Sequence, residues 1–245
     1  MRLHVIGSGS KGNCYLLKAG NGETLMLEAG VAFRKVLPAL GGSTRNVAAC
    51  LVTHEHGDHA KHARDVAGHG IRLAMTQGTA EALGLGDSST VTRFHSGHVL
   101  QFGGFAVLPF DTRHDAKEPC GFLIDHAEMG TLLFATDTGA LPELIPGLSH
   151  VMIEANYDPE RLADREDIPL STKVRIAASH MSIDDAVEAL TRRIDLKGVR
   201  CIVLIHLSEH DGDPDGFLDR VAGATGKEVH TAAPGLTVDL SPTPF

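Results

Sequence analysis

Leu51-Val52-Thr53-His54-Glu55-His56-Gly57-Asp58-His59 places three histidines and an aspartate within six residues, directly behind the apolar run Ala48-Ala49-Cys50-Leu51-Val52. A short apolar run that stops at a polar cluster reads as a buried strand. In extended backbone alternate side chains share a face, so His54 and His56 can point the same way as the chain leaves that strand. Asp58 and His59 fall at the start of the following turn or helix, within reach of a second cation. Neutral imidazole and carboxylate are the ligands that hold Zn²⁺, Mn²⁺ or Fe²⁺ in open, hydrolytic sites. A lone His-x-His would signal only adventitious metal affinity. Four ligand-type residues at this spacing behind a strand point to a metal centre.

Outward from this block, the chain alternates strands with later helices. Arg2 to Ile6, Asn13 to Lys18 and Glu23 to Glu28 read as strands, and Gly20-Asn21-Gly22 carries the Asn-Gly signal of a tight hairpin. Val31 to Leu40 reads as a short helix stopped by Gly41-Gly42. Further strands are predicted at Ile71 to Met75, Val91 to Phe94, Val99 to Phe102, Phe105 to Phe110, Gly121 to Ile124 and Thr131 to Ala135. His150 to Glu154 and Val199 to Ile205 follow as strands, with helices near Pro159 to Arg165, Ile183 to Arg193 and Pro214 to Ala222. The pattern suits an α+β, four-layer αββα sandwich and argues against a parallel doubly wound sheet. No repeat, low-complexity segment or long linker divides the chain, so residues 1–245 are expected to form a single domain.

Gly7-Ser8-Gly9-Ser10-Lys11-Gly12 imitates the G-x-G-x-x-G dinucleotide fingerprint after a strand. That fingerprint needs a helix to open at the glycines. Here Asn13-Cys14-Tyr15-Leu16-Leu17 and an Asn-Gly turn follow, which is a hairpin pattern. The loop instead reads as positive-φ backbone in which Ser8, Ser10 and Asn13 line one rim of the metal site.

Composition bounds the function classes. A chain of 245 residues with 42% hydrophobic content can bury a large core. No apolar run is long enough for a membrane helix, and the N-terminus lacks a signal-peptide core, so a cytoplasmic enzyme with no membrane partner is expected. Cys14, Cys50, Cys120 and Cys201 are far apart and read as reduced packing residues. Net charge is −9 and the pI is near 5.9, which excludes a long basic track for nucleic acid. Two divalent cations would still add local positive charge where a phosphate binds. Aromatic content of 4% without Trp excludes an extended base-stacking platform. Nothing indicates a dedicated protein partner.

The H-x-H-x-D-H run resembles the signature of the metallo-β-lactamase fold superfamily. That resemblance implies three further ligands at strand ends, and His114, Asp137 and His206 stand behind the apolar runs Phe105 to Phe110, Thr131 to Ala135 and Val199 to Ile205. Together with Gly7 to Asn13, His114-Asp115-Ala116, Thr136-Asp137-Thr138-Gly139, Glu154-Ala155-Asn156 and His206-Leu207-Ser208, the chain is similar to the YycJ (WalJ, VicX) group, related to the tRNA 3′-processing nucleases. The resemblance runs from residue 6 to about residue 214. Three positions depart from it: Glu28 stands where relatives usually carry Asp, His62 where a Gly often follows the Asp-His pair, and Tyr157 where many carry His.

The group implies a metal-dependent phosphodiesterase or nuclease, with 5′→3′ exonuclease action on single-stranded DNA as the leading reading. The alternative is hydrolysis of a small thioester, lactam or non-nucleic phosphodiester on the same fold. A silent binding module is disfavoured by the complete ligand set. Two divalent ions, Zn²⁺ or Mn²⁺, are expected: one on His54, His56 and His114, the other on Asp58, His59 and His206, with Asp137 bridging. Asp58 is also counted with the catalytic groups. His180, just before a helix whose start is marked by Ser182 and Asp185, is the expected proton donor to the leaving group. Glu154 is expected to orient it. Asn156, with Ser8, Ser10 and Asn13, is a candidate substrate contact.

Overall fold

A computed structural model describes residues 1–139, 141 and 145–241. The chain runs β1 (Arg2–Gly7), β2 (Cys14–Lys18), β3 (Thr24–Leu27), α1 (Phe33–Val36), β4 (Val47–Leu51), α2 (Gly57–Ala60), α3 (Ala63–Gly68), β5 (Leu73–Thr76), α4 (Gln77–Ala82) and β6 (Val91–Phe94). It continues through β7 (Leu100–Phe102), β8 (Phe105–Asp111), β9 (Cys120–His126), β10 (Gly130–Ala135) and β11 (His150–Glu154). The last elements are α5 (Pro159–Asp164), α6 (Leu170–Ser179), α7 (Ile183–Arg192), β12 (Cys201–Ile205), α8 (Pro214–Thr225), β13 (Glu228–Thr231) and β14 (Thr237–Asp239).

Two seven-stranded sheets result, in the orders β14-β1-β2-β3-β4-β5-β6 and β13-β12-β11-β10-β9-β8-β7. Each sheet passes from antiparallel to parallel pairing: β3 to β6 are parallel in the first, β10 to β13 in the second. Parallel strands need apolar cover on both faces. Three apolar clusters supply it. Leu17, Leu27, Leu51, Phe122, Phe134 and Val203 join both sheets face to face. Phe33, Val36, Val52, Val66 and Met75 cover the outer face of the first sheet. Ile183, Leu190, Phe217 and Val221 from α7 and α8 cover the second. These clusters make the four-layer αββα sandwich.

Local chemistry explains the element ends. The β2–β3 hairpin closes with Gly22 at φ 88°, a conformation that glycine adopts without steric cost. Gly12 has φ 142°, and a Cβ there would sit 2.5 Å from the Gly30 carbonyl oxygen, so the loop after β1 packs against the strand-end turn after β3. No helix opens at these glycines, in keeping with the hairpin reading. α7 starts with a full capping box between Ser182 and Asp185. All four cysteines are free and buried, and burial pushes their thiols up.

Several elements differ from the sequence reading. The helix expected over Val31 to Leu40 is regular only at Phe33–Val36, because Pro38 has no amide hydrogen to continue it and the chain closes in successive turns. α6 was not expected: only Ser179 of its ten residues is buried, and its spaced apolar residues Leu170 and Val174 stay exposed, so no packing against the core marks it. β13 and β14 are short edge strands recognised only through their pairing with β12 and β1. Among the described residues no helix is long and apolar enough to cross a membrane.

Candidate metal centre

β8 runs antiparallel to β9, β9 antiparallel to β10, and β10 to β12 are parallel, so β8, β10, β11 and β12 end on the same rim of the second sheet. β4 of the first sheet delivers its polar block to that rim. His54 leaves the strand, His56 is the residue before α2, and Asp58 and His59 lie in its single turn. His114 follows β8, Asp137 follows β10, Glu154 ends β11 and His206 follows β12. His180 ends α6, two residues before the Ser182 cap of α7.

The structure brings all seven expected ligands together, in overlapping groups. His54, His56 and His114 can each offer a nitrogen within 4.8 Å of the others, and so can the donors of Asp58, His59, Asp137 and His206. A further group, Asp137, Glu154, His180 and His206, meets the same criterion. Asp137 joins the first two groups: its Oδ2 is 3.8 Å from His54 Nε2 and 3.6 Å from His114 Nε2, and its Oδ1 is 3.2 Å from His59 Nε2.

The inward-facing atoms suit a divalent cation. His114 Nδ1 lies 2.8 Å from the Ser179 carbonyl, which can only accept, so a neutral ring turns the lone pair of Nε2 inward. That lone pair faces His56 Nδ1 at 3.0 Å. His54 Nδ1 is 2.9 Å from Thr53 Oγ1, while its buried Nε2 has no hydrogen-bond partner among the described residues. Burial and the His59 charge hold His54 well below the usual histidine range, and burial also depresses His114. A neutral imidazole is the ligating form.

On the second sheet the charges are strongly coupled. Burial opposes ionisation of Asp137, but His206 and His59 hold its carboxyl well below the usual range. His206 is pushed up to about 10: burial opposes this, and the Asp137 charge with hydrogen bonds to Asp58 and Glu154 outweighs it. His59 is likewise raised, against burial, by Asp137 and Glu28.

Glu154 sits at the centre of this half. Its carboxylate is buried; Oε1 is 2.8 Å from His180 Nδ1 and 2.9 Å from His206 Nδ1. Oε2 accepts from the amides of Thr138 (3.2 Å) and Met181 (3.1 Å). One buried carboxylate thus orients two imidazoles. Burial lowers the pKa of His180, yet the Glu154 charge and hydrogen bond raise it overall. With Nδ1 engaged, Nε2 of His180 is the nitrogen free to hand on a proton.

Backbone strain collects here. Among the described residues, the non-glycine positions with positive φ are Glu28 (65°), Asp137 (48°) and His206 (56°), all at strand ends facing this site. Each costs roughly 1–2 kcal/mol against ordinary backbone. Glu28 uses that turn to bring Oε1 to 3.4 Å from His59 Nδ1, with Oε2 3.4 Å from the Thr53 amide. The longer side chain still buttresses the imidazole from behind.

The four candidate substrate contacts fall differently from expectation. Asn13 and Asn156 are buried and unavailable as a rim: Asn13 Nδ2 is 3.2 Å from His59 Nε2, and Asn156 Nδ2 donates to the His206 carbonyl at 2.8 Å. Amides pack there because the loop ends leave the Gly9, Asp58 and His206 carbonyls needing donors. Ser8 accepts from the His206 amide at 2.9 Å and contacts the Tyr15 hydroxyl at 2.8 Å. Only Ser10 is exposed. Sequence reasoning missed the Ser179 carbonyl, the Tyr15–Ser8 link and the second bond of Glu154. A backbone carbonyl carries no residue-specific signal, the Tyr15–Ser8 link forms only because β1 and β2 pair, and Glu154 and His206 are far apart in sequence.

Residues 16–207 match the family described as the beta-lactamase superfamily domain. The chain is 32% identical over 225 residues to exodeoxyribonuclease YycJ of Bacillus anthracis, covering 85% of this chain and 83% of that one. It is 29% identical over 222 residues to exodeoxyribonuclease WalJ of Streptococcus pneumoniae, covering 84% and 81%. In structure it is similar to the metallo-beta-lactamase fold protein YhfI from Bacillus subtilis, with a TM-score of 0.75 at 18% identity over 97% of this chain and 98% of that one.

Proposed function

We propose, on the premise that this chain belongs to the β-lactamase superfamily and to its YycJ and WalJ group, that it is a dinuclear-metal phosphodiesterase digesting single-stranded DNA from the 5′ end. His54, His56 and His114 would hold one ion, Asp58, His59 and His206 the other, with Asp137 between them. Zn²⁺ and Mn²⁺ both suit this donor set. When bound, such a pair supplies Lewis acidity that activates water and withdraws charge from phosphate oxygens. The free, buried thiols fit a reducing, cytoplasmic setting.

The protein's own part is proton delivery and orientation. Expelling an alkoxide from phosphorus requires a proton at the leaving oxygen. Glu154 raises the pKa of His180, which sits beside the carboxylates of the site, its Nδ1 3.7 Å from Asp137 Oδ2. Its Nε2 can protonate the departing hydroxyl while Glu154 stabilises the ring charge. The Glu154–His180 pair is the observation that carries the phosphodiesterase reading, because thioester or lactam hydrolysis does not require it. An assay on 5′- and 3′-labelled single-stranded DNA and RNA, beside a β-lactam and a glutathione thioester, tests the proposal. Turnover of DNA from the 5′ end is expected. Cleavage of the lactam or thioester with no phosphodiester cleavage would overturn it.

A further inference from the structure

The far end of the second sheet holds a different cluster. β11, β12 and β13 begin in register, with His150 opposite Cys201 and Cys201 opposite Glu228. Their starting ends border a cavity of about 730 Å³, lined also by Lys197, Arg200, Lys227 and Asp239. At about 3.3 Å per residue, the five-residue strands set it roughly 15 Å from the metal centre.

The polar groups there are incompletely matched. His150 is 1% exposed, and its ring has no side-chain hydrogen-bond partner among the described residues, only the Leu240 backbone acting on it. Burial pushes its pKa down to about 4, against a pull from the Leu240 backbone and with the Arg200 charge adding to the fall. The ring is therefore neutral near pH 7. Arg200 Nη1 is buried and also lacks a partner. Lys197, Arg200 and Lys227 form no ion pair with any described residue. Two acids also border the cavity, each with a hydrogen-bond partner of its own: Glu228 with His230 at 3.0 Å, and Asp239 Oδ1 with the Ser241 amide at 2.9 Å.

Three unpaired cations around one cavity are unusual in a chain of net charge −9. Like charges repel, and a buried donor without an acceptor is costly, so an anion entering the cavity would relieve both. We propose that this cavity is a second binding site that takes a phosphate-bearing small molecule, with Arg200, Lys197 and Lys227 on the phosphate. Guanidinium and ammonium groups bind phosphate through charge-assisted bonds. The volume exceeds that of inorganic phosphate several-fold and admits a body of mononucleotide size. This inference does not rest on the activity proposed for the metal centre.

The test must separate this site from the metal centre, which also attracts phosphate. Metal-loaded protein is titrated calorimetrically with inorganic phosphate and with a deoxynucleoside 5′-monophosphate, in parallel with Asp137→Ala, Arg200→Gln and the double variant Lys197→Gln/Lys227→Gln. One binding event should survive in Asp137→Ala and weaken at least tenfold in Arg200→Gln and in the double variant. Those last two should keep their metal content and their rate on bis(p-nitrophenyl) phosphate. Should Arg200→Gln fail to fold, the double variant decides, since it changes only side chains at the protein surface. Tighter binding of the nucleotide assigns contacts to its nucleoside part; equal binding assigns the phosphate alone, and both support the site. Unchanged affinity in the charge variants, loss of all anion binding in Asp137→Ala, or binding confined to oligonucleotides would overturn it.

Discussion

On the first sheet, His54, His56, Asp58 and His59 all come from one strand-to-helix connection, whereas Asp137, Glu154, His180 and His206 on the second come from four separate strand and helix ends. The first group needs only the exit of β4 and one helical turn to aim its side chains. The second is assembled by strained backbone at Asp137 and His206 and by a buried carboxylate bonded to two histidines. A site of this kind has one half written locally and one half held by a network. Damage to the first should act residue by residue, and damage to the second should spread.

The largest effect is expected where the halves meet. Asp137→Ala removes the carboxylate that faces His54, His59 and His114, so the protein should retain about one metal equivalent in place of two and lose phosphodiesterase activity to background. Elemental analysis after removal of excess metal checks this, and full occupancy would show that Asp137 joins nothing.

His180→Ala should lower the rate on an oligonucleotide by roughly 10²–10⁴, the range for general acid catalysis, with both metals kept. The loss should shrink on bis(p-nitrophenyl) phosphate, whose leaving group needs no proton. An equal loss on both substrates would make His180 a binding residue.

Glu154→Gln sharpens the contrast, because Oε1 reaches His206 as well as His180. Its rate should fall less than in His180→Ala, and metal affinity should also drop by about 10–100-fold, the usual cost of removing a group that orients a ligating histidine. Competition with a chromophoric chelator measures that affinity. Unchanged affinity would confine Glu154 to His180.

The opposite end of the sheet gives a smaller, pH-dependent effect. The folded pKa of His150, about 4, lies below the ordinary value of 6.5 expected in the unfolded chain. The unfolded chain therefore binds the extra proton first, so the neutral ring's stabilisation is present above about pH 6.5 and is lost as pH falls toward 4. The full window is worth about 3 kcal/mol. Urea unfolding in phosphate-free buffer should show this slope in the parent and a flatter one in His150→Leu. Parallel curves would mean that His150 does not titrate on unfolding.

The smallest effect is local again. Ser182→Ala breaks the cap of α7, two residues after His180, and should cost about 1 kcal/mol with the metals retained. Thermal unfolding reads the shift, and a change in metal content would tie the cap to the centre more closely than its hydrogen bonds do.

Periodicity, the Asn-Gly turn, the Ser182–Asp185 cap and the H-x-H-x-D-H block depend on neighbours in the chain, and these were legible in the amino-acid sequence. So was the order of strand ends bearing His114, Asp137, Glu154 and His206, because each stands at the edge of an apolar run. Resemblance to relatives, not spacing, attached roles to them. Tertiary structure alone decided that Asn13 and Asn156 face inward, that Glu154 serves two histidines, and that Lys197, Arg200 and Lys227 meet around His150. It also decided α6, of whose residues only Ser179 is buried, and the edge strands β13 and β14, which exist only through their partners. The reason is the same in each case: hydrogen bonds and charge pairs between residues far apart in sequence depend on burial and on sheet order, and neither is written in a local pattern.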